Sequence, residues 1–108
     1  MPKFLTIGYG DQAGYDRTPQ ALRDAAHAHD AAQAAAGVIA GVLLEPVQVR
    51  NHQDRGVTTE AGSFLASPLP VAGFSLIEAA SLEEAVRIAA QAPCAVADGV
   101  VEIWPVRE

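Results

Sequence analysis

Val38 to Leu44 reads VIAGVLL, seven residues with no polar or charged side chain. A run this short has the length of a strand rather than a helix, and Pro46 brings it to an end because proline cannot donate to a ladder. Side chains along a strand point alternately to opposite faces, so this run places apolar groups on both sides of any sheet it joins. The closing stretch Val100 to Val106, VVEIWPV, has much the same character. A sheet built from such strands needs cover on both faces.

Moving outward from that run, Gly37 is the expected stop of a helix that starts with Thr18 as cap and Pro19 in its first turn. Leu22, Ala25, Ala26, His29, Ala32 and Ala36 share one face of it. Before that helix, DQAGYDRTP reads as a loop, and Lys3 to Tyr9 alternates as a first strand. After Pro46, VQVR and VTTE flank NHQDRG, a hairpin signal. Val71 to Glu78 is a further strand. Ser81 and Glu84 form a capping box that opens a second helix, with Leu82, Ala85, Val86 and Ala89 on one face and an end before Pro93. The order β-α-β-(hairpin)-β-α-β describes an α+β domain. It is a ferredoxin-like antiparallel sheet with two helices on one face. The other face remains apolar and open, which points to a second copy packed sheet against sheet.

The chain has 108 residues and reads as one domain spanning 1–108. Its formal charge is −6, with thirteen acidic residues and seven scattered basic ones, so no basic stripe exists to grip nucleic acid. No apolar run approaches the roughly 20 residues of a membrane span. The opening MPKFLTIGYG lacks the features of a signal peptide. A lone Cys94 excludes an internal disulfide, and a cytoplasmic compartment is the default expectation.

Between Thr58 and Phe74, TTEAGSFLASPLPVAGF starts and finishes as strand but carries an apolar, proline-stiffened loop between. Loops over a protein surface are ordinarily polar. This one is expected to roof a small-molecule pocket.

Three stretches carry a resemblance to a known family. FLTIGYGDQA, AAAGVIAGVLLEP, and GFSLIEAASLEEAVRIAAQAP followed by GVVEIWPVRE together span nearly the whole chain. The chain resembles the YCII-related superfamily, and within it the DGPF branch. That resemblance implies a dimeric α+β barrel of two ferredoxin-like domains and a His/Asp acid–base pair in a pocket near the paired sheets. Nothing in the sequence points to a nicotinamide, flavin or haem cofactor. One departure stands out: where the branch carries Asp-Gly-Pro-Phe, this chain has Ala61-Gly62-Ser63-Phe64. The acid and the proline are missing, and Glu60 next door points to the opposite face of an extended chain.

His29 with Asp11 is the expected proton-transfer pair. Imidazole titrates near neutrality, and a carboxylate can fix its tautomer. Asp11 is the match to the family's strand-end aspartate, while His29 lies on the inward stripe. His27 is the competing histidine, on a face that looks solvated. His27-x-His29 is not a metal pair, because residues two apart on a helix do not share a face, and His52 sits apart in the expected hairpin. GYGDQA formally fits a dinucleotide fingerprint, but the helix begins too late for that role. Tyr9, His27, Ser63, Phe64, Leu65 and Trp104 complete the expected pocket lining, with Ser63 read foremost as a turn former. Two functions fit: a cofactor-free lyase, isomerase or hydrolase acting on a small apolar or cyclic substrate, or a ligand- or protein-binding module without catalysis. Loss of the acid at position 61 favours the second.

Overall fold

A computed structural model describes residues 1–108. Six strands form, β1 (Lys3–Tyr9), β2 (Ile39–Val42), β3 (Val47–Arg50), β4 (Thr58–Ala61), β5 (Val71–Glu78) and β6 (Val100–Val106). Four helices accompany them, α1 (Gln12–Arg17), α2 (Gln20–Ala35), α3 (Leu82–Ala89) and α4 (Pro93–Val96), with a single 3-10 turn at His52–Asp54. The main sheet runs β2-β5-β1-β6 with every pair antiparallel. Two β-helix-β crossovers, each straddling one strand of the other, generate that order. It is the ferredoxin-like α+β arrangement. Pro105 sits on β6, an edge strand, where a missing donor is tolerated.

Register settles which side chains face the helices. Phe4 pairs with Ile77 and Pro105, Thr6 with Ser75 and Ile103, and Gly8 with Gly73 and Val101. On that side Phe4, Ile77, Ala79 and Ala85 make the packed core, with Val38, Ile88 and Ile103 against it. The opposite side carries Leu5, Ile7, Phe74, Leu76, Ile39 and Trp104, none of them buried. A slip in register between Gly8 and Tyr9 puts Tyr9 opposite Val71. No helix is long and apolar enough to cross a membrane.

Two helices are joined here by two more. The DQAGYDRTP segment is not a loop: Asp11 caps α1, its carboxylate accepting from Gly14 N at 2.9 Å, and Thr18 Oγ1 closes the far end by donating to Gly14 O at 2.9 Å. Gly14 signals close packing, since a Cβ there would lie 2.6 Å from Ala97 O. Thr18 therefore ends α1, and Pro19 caps α2 in its place. Gly37, at φ +89°, follows the last turn of α2 as its position predicts.

The inward face of α2 is also rotated from the expected one. Ala26 is buried, and Arg23, His29 and Gln33 are half-buried, while Leu22, Ala25, Ala32 and Ala36 face solvent. The helix packs mainly on α4 and stands off the sheet, and its alanines are too short to fill the gap. On α3 the inward residues are Ala85, Ile88 and Ala89, with Leu82 and Val86 outside. Ser81 caps it as expected, its Oγ accepting from Glu84 N at 3.1 Å.

Strands β3 and β4 pair only with each other. With their connections they form an arm, Val47, Val49, Val57 and Phe64 all exposed. The molecule measures 52 × 36 × 22 Å with a radius of gyration of 15.8 Å. A compact chain of this length would have about 13 Å.

Candidate functional site

The gap under α2 is a cavity of about 400 Å³, its walls mostly apolar. Thr6 and Ser75, neighbours across β1 and β5, form part of its floor and hydrogen-bond to each other through their hydroxyls. Gly73 beside them and Ala40 on β2 leave the floor low. From α2 come His27, His29, Asp30 and Gln33; from α4 comes Cys94. The Cys94 sulfur closes over Gly8, where a Cβ would lie 2.8 Å from Sγ.

Charge is concentrated on the α2 side. Burial pushes the Cys94 thiol above its ordinary range, and the Asp30 carboxylate adds to that rise. A thiol held neutral is a poor nucleophile at pH 7. Asp30 is thus close enough for Cys94 to feel its charge. His27 Nε2 lies 3.0 Å from Tyr15 Oη, and the Arg23 guanidinium stands 4.7 Å from the centre of the same Tyr15 ring. His27 is therefore tied to α1 at the cavity rim, whereas His29 lies half-buried in the lining.

The remaining expected residues are dispersed. Asp11 is engaged in capping α1 and does not line the cavity that holds His29. Tyr9 and Trp104 belong to the opposite side of the sheet, where both donate to Glu102 Oε1, Tyr9 Oη at 3.0 Å and Trp104 Nε1 at 2.9 Å. Ser63 is a turn former, its Oγ accepting from Leu65 N at 3.1 Å. Phe64 is 82% exposed on the arm, with the Arg50 guanidinium 5.9 Å from its ring centre. Leu65 lines a different hollow at the root of the arm, with Leu43, Leu44 and Leu69.

The apolar loop therefore does not roof the cavity of its own chain, a correction to the expected lid. Its β-hairpin leads it away from the helices, and none of residues 61–70 borders the His29 cavity. Sequence reasoning found His27 and His29 but missed Thr6, Asp30, Ser75 and Cys94. For Thr6 and Ser75 a signal existed. Each is a polar residue at a strand position whose neighbours on the same face, Phe4 and Ile77, are core, and a polar group on a core face is the informative exception.

This geometry uses few groups: one half-buried imidazole, a neighbouring carboxylate, and a hydroxyl pair across an apolar hollow. Such a set can move a proton on a small bound molecule without a metal or organic cofactor. No group of three or more His, Cys, Asp or Glu residues is arranged to hold a metal ion. Searched against curated proteins, the chain finds no match. The family model of the YCII-related domain, however, matches residues 3–108. With that match running over the same β-helix-β units that enclose the cavity, the chain belongs to the YCII-related family.

Proposed function

We propose that the cavity under α2 binds a compact, largely apolar organic molecule, and that His29 takes a proton from it. The carrying observation is the half-buried His29 in an apolar-walled cavity with Asp30 beside it in the lining. In the simplest step a C–H bond of the ligand breaks, the proton passes to the imidazole, and the electron pair stays on the ligand. Asp30, not Asp11, is the carboxylate that shares the cavity lining with His29. Elimination, isomerisation and hydrolysis are the reactions open to such a site.

The test is turnover of lactones, cyclic ketones and halogenated phenols by the purified protein and three variants. His29→Ala is expected to lower the rate at least about a hundredfold, the usual contribution of a placed general base. Asp30→Asn lowers it less. Asp11→Asn leaves the rate alone, because the amide oxygen can still cap α1. Equal turnover by wild type and His29→Ala overturns the reading. Asp11's engagement in capping favours one alternative, a binding module without catalysis. Saturable binding with no turnover, unchanged in His29→Ala, is its signature.

We also infer a homodimer formed through the open side of the sheet. With strands about 4.8 Å apart and about 3.3 Å per residue, β1, β2, β5 and β6 offer a face of roughly 400 Å². A stable interface covers about 800 Å² on each partner. The apolar arm supplies the missing area if each copy lays it against the other. Sedimentation at micromolar concentration tests this: pairs are expected, and single chains at every concentration overturn it.

A further inference from the structure

We propose that the Thr6–Ser75 hydroxyl pair reads an acceptor oxygen on the ligand, so that the cavity selects carbonyl compounds over hydrocarbons of the same shape. The inference rests on the binding reading above and adds a substrate class to it. Thr6 is 6% exposed and faces the helix side of the sheet, paired in register with Ser75. Their mutual hydrogen bond uses one of the two hydroxyl protons, whichever residue donates. One proton is always left over. Both residues line the cavity, so that donor is presented to whatever occupies it.

Buried polar groups left without partners are costly, and a site built around one discriminates against ligands that cannot answer it. The floor around the pair has little else to offer, since Gly73, Ala40 and Val42 contribute no polar side chain. The pair presents its donor from the strands while His29 stands on α2. A ligand carbonyl bonded to the floor would have its adjacent C–H acidified by loss of electron density to the hydrogen-bonded oxygen. The hydroxyl pair keeps its protons throughout, and the ligand's proton goes to the imidazole.

Two probes of matched shape test this, acetophenone and 2-phenylpropene, which differ by an oxygen replaced with a methylene. Binding is followed by amide shifts in two-dimensional NMR of the intact chain. Wild type is expected to bind acetophenone about tenfold more tightly, the effect of one satisfied hydrogen bond. Thr6→Val and Ser75→Ala, made singly, keep the preference, because each leaves one hydroxyl whose proton is free. The double variant Thr6→Val/Ser75→Ala loses it, and removing both partners together costs little stability. A role of the pair in packing alone would not give this pattern of two retained preferences and one loss.

Equal affinities in wild type overturn the proposal while leaving the binding reading in place. A preference that survives in the double variant overturns it too, since another group must then read the oxygen. If neither probe shifts the amides of Thr6, Ser75 and α2 at millimolar concentration, the binding reading fails with it. Should that double variant not fold, Thr6→Ala/Ser75→Ala, which also removes both hydroxyls, takes its place with the same loss expected.

Discussion

The four-stranded body and the two-stranded arm are made from similar sequence and have opposite fates. β5 reads VAGFSLIE and β3 reads VQVR, both rich in branched and apolar residues. Ile77 of β5 is 3% exposed, sealed beneath α3 with Phe4 and Ala85. Val47 and Val49 of β3 are more than half exposed, because no helix follows the hairpin to cover them. A lone two-stranded ribbon is marginal in water. The difference shows that strand propensity sets local shape, whereas stability comes from what is laid on top.

Single substitutions can break that comparison. Ile77→Ala empties a site in the packed core and is expected to cost about 2–5 kcal/mol in urea unfolding, close to the whole stability of a small domain. The same truncation at Val49 is expected to change unfolding of the dilute protein by less than about 0.5 kcal/mol. If Val49→Ala instead proves costly, and more so at higher protein concentration, the arm is already covered by a second copy.

Gly8→Ala sharpens the picture within the body. The new methyl meets the Cys94 sulfur and must push α4 outward, at an expected cost of about 1–3 kcal/mol. Trimming the sulfur with Cys94→Ala in the same chain should recover most of that loss, a coupling measured by a double-mutant cycle. Gly56→Ala on the arm meets no atom, so its cost is only the strain of its backbone, φ +147°.

The smallest effect expected is a drift with alkaline pH. Burial, then the hydrogen bond to Glu102 and its charge, raise the Tyr9 phenol above its ordinary value. Cys94 is raised as well, by burial first and Asp30 second. Both groups hold their protons more firmly when folded than when unfolded. Their contribution is therefore complete below the ordinary thiol and phenol values and is lost as pH rises through the raised ones. Both belong to the body, so its unfolding midpoint in urea should fall between about pH 9 and 11. Cys94→Ala is expected to remove the earlier part of the fall.

Much of the fold was legible because its rules are local. Alternation, short apolar runs and a hairpin signal placed the strands, Gly37 and Ser81 marked helix ends, and two apolar faces called for a sheet with more than one cover. Failures came where distant packing outweighs local preference. Gly14 and Asp11 look like loop residues until α4 is in place against them. The face of α2 was misjudged because alanine marks a helix's inward side weakly, and a helix standing off its sheet has no reason to point its one leucine inward. The site suffered most. His29 could be found from its stripe, but Asp30, Thr6 and Ser75 become neighbours of the cavity only once β1, β5 and α2 meet. Asp11 caps α1 instead of meeting His29, and Trp104 stands on the open side of the sheet, across from this cavity.

Gly8 and Gly73 lie side by side in the sheet, Gly73 on the cavity floor and Gly8 covered by Cys94. A methyl on either meets an obstacle at 2.8 Å, the Cys94 sulfur for Gly8 and the Gly41 carbonyl oxygen for Gly73. A larger residue at Gly73 therefore cannot reduce the cavity at its floor without displacing β2. The alanines at 40, 72 and 92 along its wall are places where a larger side chain would make the cavity smaller. Cavity size and polarity are therefore set by different residues, since swapping one of those alanines leaves both hydroxyls untouched.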